Sequence, residues 1–461
     1  MAITLLFLPL TLCLCIIYLH HTHLTSPLKH IPGPWHTKHT SLVLTTYYLL
    51  GQRMHYVHSL HTIHGPIVRV SPLEISIADL AAVKEIHRIG TPFLKDSAFY
   101  KKITRPDIEN LFNTSDPHFH AKRRRLFARQ ASDIELHKPE IETLIDARIK
   151  LAITKIASEL KQTGKVDIFQ WFIFMTTDII GELCFGDSFR MIELGVGNQY
   201  FKDLTAVARM EGVKVVFPAL VSLASWVPLS LPVVSEAARA GERLGGYAVE
   251  SVARYKALLK ASRKTFIIAG SDTTANTLTY LIYTLSQPHN APFLSTLLTE
   301  LATLPPLFTD ANLNSLTTLN NIITETMRLY PGVPSALPRV SSETQVLAGY
   351  EIPRNTTVSG QAYTLHRNPT IFPSPEEFNP DRWVNPSREM RDSLMAFGGG
   401  VRICLGMHLA KMEMRLAVAR FYAAFGDALK VDEGMKDNEM DQVGWFLGAP
   451  KGKRCLLRRE D

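Results

Sequence analysis

The stretch AFGGGVRICLGMHLAKMEMRLA, residues 396–417, decides how this 461-residue chain is read. Three consecutive glycines, Gly398, Gly399 and Gly400, run into Arg402 and Cys404, and Leu405, Leu409, Met412 and Leu416 then recur at helical spacing. Glycines allow positive φ and a close approach of backbone to a flat, bulky partner. A cysteine at the first turn of a helix is favoured as thiolate, because unpaired amides and the helix dipole stabilise negative charge. Arg402 carries the charge to neutralise an anionic group on the same partner.

Three chemistries compete for this cysteine. As a nucleophile it needs a base, and His408 is one turn away, but no third residue to orient that base is identifiable. A zinc site needs further cysteines at usable spacing. The five cysteines, Cys13, Cys15, Cys184, Cys404 and Cys455, contain no C-x-x-C pair and no even disulfide framework, so the main body reads as reduced and cytosol-facing. An axial thiolate on a heme iron needs no second protein ligand, since the porphyrin supplies four. The third reading also accounts for the glycines and Arg402 together.

FGGGVRICLG, residues 397–406, resembles the heme-binding signature of the cytochrome P450 superfamily, F-x-x-G-x-R-x-C-x-G, with Phe397, Gly400, Arg402, Cys404 and Gly406 at its fixed positions. The resemblance implies heme b with Cys404 as its proximal thiolate and metal ligand, Phe397 packed beside the sulfur and Arg402 reaching a propionate. It also implies a mainly α fold with a small β-rich lobe.

ETMR, residues 325–328, matches the family's E-x-x-R pair; three residues apart on a helix, the two side chains share a face. FNPDRW, residues 378–383, is similar to the family's third element. Together they imply a structural cluster of Glu325, Arg328 and Arg382 that locks the proline-rich meander beneath the cysteine loop.

FIIAGSDTTANTLTYLIYTL, residues 266–285, places an acid and hydroxyls inside an apolar helix. Buried polar groups are costly unless paired. Read alone, Ser271 or Asp272 caps a helix start, or the threonines bond back to the preceding turn. AGSDTT resembles the family's oxygen-activating segment, which implies that Gly270 leaves room over the iron for dioxygen and that Asp272 and Thr273 are catalytic, delivering protons. In DPHFHAKRRRLF, residues 116–127, His120 stands where the family usually has Trp, four residues before Arg124. The resemblance implies propionate contacts from His120, Arg124 and, in SALPRV, Arg339. Lys122, Arg123 and Arg125 are expected to be solvated or to face a redox partner, and His366 to be a packed or surface histidine.

Hydrophobic residues make up 46% of the chain and charged residues 20%, with 27 scattered prolines, the profile of an ordered globular protein. The net charge of +7 is partly local to the 120–130 segment and suits docking of an acidic protein; nucleic acid is not expected as a partner. Residues 2–19 carry no charge, about the minimum length for a bilayer-spanning helix, and basic residues follow at Lys29, Lys38 and Arg53. They predict an N-terminal transmembrane anchor and a single-pass endoplasmic-reticulum membrane protein with its catalytic domain, residues 37–461, in the cytosol. KHIPGPWH, residues 29–36, reads as a stiff proline-rich hinge.

One interval departs from the family. Only residues 262–265 separate ESVARYKALLKA, residues 250–261, from the oxygen-activating segment, where relatives carry a loop, a short helix and half of a long one. The seventeen or so residues that follow span about 25 Å as a helix, too little to cross such a domain. The chain is either a natural short form or a coding sequence lacking a piece.

The expected activity is insertion of one oxygen atom from O2 into an apolar small-molecule substrate, by hydroxylation or epoxidation in fungal secondary metabolism, with electrons from a membrane-bound NADPH-cytochrome reductase. The alternatives are a reductase-independent isomerase or dehydratase, and a heme-binding membrane protein without turnover.

Overall fold

The structure is a computed structural model that describes residues 25–104, 109–197 and 263–460, with a few isolated positions besides. Helices dominate. The elements that build the site begin with two antiparallel hairpin strands, β1 (Ile67–Ser71) and β2 (Glu74–Ile77), buried at every position but Glu74. Next come α1 (Leu80–His87), the short strand β3 (Leu94–Lys95), α2 (Ser97–Lys102) and α3 (Pro117–Ala128). Asp79, Asp96 and Asp116 cap these three helices by accepting backbone N–H bonds.

The core forms around α4 (Pro139–Thr163), α5 (Ile168–Phe185), α6 (Arg263–Leu285), α7 (Thr317–Leu329) and α8 (Met407–Phe425). Ile149, Ile156, Phe172, Met175, Ile179, Leu278, Ile322 and Val418 pack there with almost no exposed area. The α5 and α6 helices pack side by side, and the Thr176 hydroxyl ties them by donating to the Ser271 carbonyl at 2.8 Å. A Cβ on Gly270 would lie 3.0 Å from Ile180, so this glycine sets the close approach of the two helices.

The β-rich lobe is a five-stranded sheet in the order β1, β2, β5 (Thr357–Ser359), β4 (Arg339–Val340), β3. Its edge pairs β3 with β4 antiparallel and sets Lys95 directly opposite Arg339. A separate hairpin, β6 (Gln442–Gly444) with β7 (Gly448–Pro450), lies near the C-terminus. The 29–36 segment docks onto the sheet: Pro32 accepts from the Arg69 amide at 2.8 Å, and Gly33, at φ 154°, leaves no room for a Cβ beside the Arg69 carbonyl.

No helix among the described residues is long and apolar enough to cross a membrane. This overturns the expected single-pass endoplasmic-reticulum placement; the stretch that prompted it, residues 2–19, lies outside the described residues. The most apolar of the long described helices, α5, belongs to the core, where its fully buried Asp178 accepts bonds from the Met191 and Ile192 amides. The α6 helix is longer than the seventeen residues counted from the sequence. It starts at Arg263 and runs for 23 residues, about 34 Å at 1.5 Å per residue, because Arg263, Lys264 and Thr265 belong to it.

Candidate functional site

The glycine-rich loop is held by its own backbone. The Cys404 amide donates to the Phe397 carbonyl at 2.9 Å, and Ile403 N to Gly400 O at 3.2 Å. Gly398 and Gly400 adopt φ of 72° and 60°, and a Cβ on Gly400 would lie only 1.7 Å from the His87 carbonyl oxygen, so α1 seats against the loop at a position only glycine can occupy. Gly406 is different: a Cβ there would meet no protein atom within 4 Å, so protein packing does not account for it.

Cys404 is exposed by surface area yet lies deep in the molecule, the combination that marks an internal space. Burial pushes its thiol pKa up, while the Gly406 N–H and the nearby Arg124 guanidinium pull it back. Arg124 donates to the Ile403 carbonyl at 2.9 Å, so it braces the cysteine loop, a role that its expected reach to a propionate did not include.

On one side of this space gather cations that form no ion pair with an acid among the described residues. Arg402 is half-buried and its Nη1 has no partner among the described residues. Burial, with Arg339 adding repulsion, lowers its pKa to about 10. Arg339 is buried and donates to Tyr100 Oη and the Pro338 carbonyl, each at 3.0 Å. His120 is buried and held neutral, its pKa lowered to about 4 by desolvation and then by Arg402, Arg124 and Lys95. Lys95 was not foreseen from sequence. It is buried, its ammonium donates to the Phe112 carbonyl and sits 4.1 Å from the Tyr100 ring centre, and desolvation, then Arg339 and Arg402, take its pKa well below the usual lysine value. The nearest acids are spent elsewhere: Asp96 on the α2 amides and Thr357, Asp116 on the α3 cap. Buried cations crowded this way are stabilised by an anion that no described acid supplies.

The α6 helix presents Ala269, Asp272 and Thr273 with accessible area, and Asp272 keeps it although it lies deep in the molecule. Burial pushes the Asp272 carboxyl up to about 6, with Lys453 pulling it down. Thr273 Oγ1 donates to the Ala269 carbonyl at 2.7 Å, the back-bonding that the helix spacing allows. Gly270 does not face this space as expected; one residue of helical rotation turns it onto Ile180 and leaves Ala269 beside Thr273 at the i, i+4 spacing. Behind α6, Glu413 is a fully buried acid whose pKa burial raises to about 8, with the Thr274 hydroxyl bonded to it. An acid amid the apolar positions of α8 was its signal in the sequence.

Glu325 and Arg328 form a fully buried bidentate pair, both bonds 2.8 Å. Glu325 also accepts from Arg382 Nε at 2.9 Å, Trp383 Nε1 at 2.8 Å and the Asn379 amide at 2.9 Å, while Arg328 donates to the His366, Pro375 and Glu377 carbonyls. His366 is fully buried; its Nδ1 bonds the Arg328 carbonyl and its Nε2 accepts from the Met395 amide. It thus couples this cluster to the start of the cysteine loop. A groove of about 660 Å³ beside that loop, between α1 and residues 391–395, is lined by charges of both signs and lacks the cysteine and the α6 acid.

The sequence has counterparts among known proteins. The family model described as Cytochrome P450 matches residues 32–264 and 255–456, two pieces that meet at the shortened interval. The chain is 42% identical to cytochrome P450 monooxygenase tazI of Aspergillus terreus, over 94% of each chain. It is 37% identical to cytochrome P450 monooxygenase orf2 of Aspergillus niger, over 98% of each. It is 34% identical to cytochrome P450 monooxygenase stcB of Emericella nidulans, over 94% of this chain and 88% of that protein.

Proposed function

Because the chain belongs to the cytochrome P450 family, whose members are heme-thiolate monooxygenases, we propose that Cys404 is the axial ligand of its heme and that the interior space between the cysteine loop and α6 is the heme site. The observation that carries this reading is the pocket of unpaired cations beside an interior thiol. Heme brings two carboxylates, and Arg402, with its orphaned Nη1, Arg339, His120 and Lys95 are the groups to receive them. Gly406 offers the open approach that a flat macrocycle needs. Arg124 and the Gly406 N–H stabilise negative charge on the sulfur.

When bound, the heme supplies the iron that activates dioxygen. The protein supplies protons. Asp272, its pKa raised by burial to about 6, takes up and releases a proton far closer to neutral pH than an ordinary carboxyl, and Thr273, tethered through Ala269, is placed to pass it on. Glu325, Arg328 and Arg382 act structurally, fixing the meander on which the loop rests. Exposed Lys122 and Arg125 on α3, close to Arg124, form a basic face suited to an acidic NADPH-dependent reductase. The substrate class is apolar and organic, its oxidation hydroxylation or epoxidation within secondary metabolism. An isomerase or dehydratase has no use for Asp272, and relatives named as monooxygenases weigh against it.

The test is the reduced, carbon-monoxide-bound difference spectrum of the purified protein. A thiolate-type band that disappears in Cys404→Ala supports the proposal. An imidazole-type band, or one that survives the substitution, overturns it.

A further inference from the structure

Asp272, Asn276 and Tyr280 follow one another at four-residue spacing along α6, which packs against the β6–β7 hairpin at a polar seam. Residues 330–332, which leave the end of α7, wedge into it. The Tyr330 ring stacks on Tyr280 of α6 with centroids 4.2 Å apart. The Pro331 carbonyl accepts from Gln442 Nε2 at 3.0 Å, and the Gly332 carbonyl from the Gly448 amide at 3.0 Å. A Cβ on Gly332 would lie 3.2 Å from Thr273 Cβ, so the wedge touches the proton-donor segment at one end and the hairpin at the other.

Three polar atoms around this wedge have no partner among the described residues: Asn276 Oδ1, Tyr280 Oη and Gln442 Oε1. Their residues are 4%, 0% and 6% exposed, so bulk solvent does not reach them. Asn276 lies one helical turn from Asp272. The Gln442 amide orientation is set by its bond to Pro331, which leaves its oxygen an acceptor only. Two amide oxygens cannot satisfy one another, and one tyrosine hydroxyl can donate to only one of them. Buried polar groups in such numbers are ordinarily served by ordered water. The outer end of the seam is charged: Asp441 and Lys453 are exposed, Lys453 is near enough to lower the Asp272 pKa, and Asp441 near enough to raise that of Tyr280.

We propose that Asn276, Tyr280 and Gln442 line a file of water that conducts protons from the Asp441 and Lys453 surface to Asp272. The inference rests on the reading of Asp272 as proton donor. It adds the path by which the donor is recharged, since each catalytic cycle that spends the Asp272 proton needs another from solvent.

Infrared difference spectroscopy tests this through the exchange of the Asp272 carboxyl proton for deuterium, with Asp272→Asn identifying the band. Asn276→Leu, which fills the seam, and Tyr280→Phe, which removes one hydroxyl and keeps the ring, are each expected to slow exchange by about tenfold. A crystal structure is expected to show ordered water on all three orphaned atoms. A dry seam, or unchanged exchange in both variants, overturns the proposal. The band is readable with or without heme, so loss of the thiolate spectrum would sink the proposed function and leave this test standing.

Discussion

Two buried ionic clusters lie within one fold, and they are built to opposite rules. Around Glu325, every charge is met: two arginines, an indole N–H and a backbone amide converge on one carboxylate, and Arg328 spends its remaining donors on three carbonyls. Around Arg402, like charges crowd together, Lys95 faces Arg339 across two strands, and a guanidinium nitrogen is left over. A cluster complete in itself serves the fold, whereas one that is unbalanced anticipates a ligand. The difference separates structural from binding arginines where burial alone does not, since Arg328 and Arg339 are both buried.

The contrast predicts effects of different size and sign. Glu325→Ala leaves two arginines without their anion and should cost about 3–5 kcal/mol in denaturant unfolding, with little folded protein recovered. A mild result there would mean the complete cluster is not holding the meander. Gly400→Ala forces a Cβ into the His87 carbonyl at positive φ and should cost on the order of 3 kcal/mol, read as a lowered thermal midpoint with weakened heme uptake.

Acid should reach both clusters through their histidines. His366 and His120 have folded pKa values lowered by burial to about 3 and about 4, below the unfolded value of 6.5. The unfolded chain therefore binds more protons, and stability present above pH 6.5 is lost as pH falls toward 4 and then 3. Bound heme carboxylates should raise the His120 value and leave the fully enclosed His366 alone. NMR titration of the two imidazoles, with and without heme, checks this.

Lys95→Met sharpens the comparison through a change of sign. In the heme-free chain it removes a desolvated, repelled ammonium and should stabilise by about 1 kcal/mol, while in the loaded protein it should speed heme loss about tenfold. Equal effects in both states would remove Lys95 from the carboxylate site. The smallest effect is expected of Gly270→Ala, within about 1 kcal/mol, because the gain in helix propensity opposes the tight contact with Ile180. The carbon-monoxide spectrum should not change if Gly270 serves helix packing.

The parts of this site legible in the sequence are those whose members are neighbours along the chain. Phe397 through Gly406, and Glu325 with Arg328, needed only local spacing. Lys95 was invisible because nothing near it signals burial; its character comes from pairing with a strand far along the chain. Gly270 was misplaced by one residue of helical phase, which spacing within a uniformly apolar segment does not resolve. The length of α6 was left open by the sequence, because Arg263, Lys264 and Thr265 suit a linker as well as the helix they begin. The membrane placement rested on a single uncharged run, and no described helix supports it.

The β3 edge carries one more consequence. A strand of two residues has almost no ladder to hold it, and its pairing sets ammonium against guanidinium. Neutralisation by the proposed heme would then work as a clasp: without it this margin of the sheet should open before the helical core loosens, and a protease should cut within residues 94–104 first.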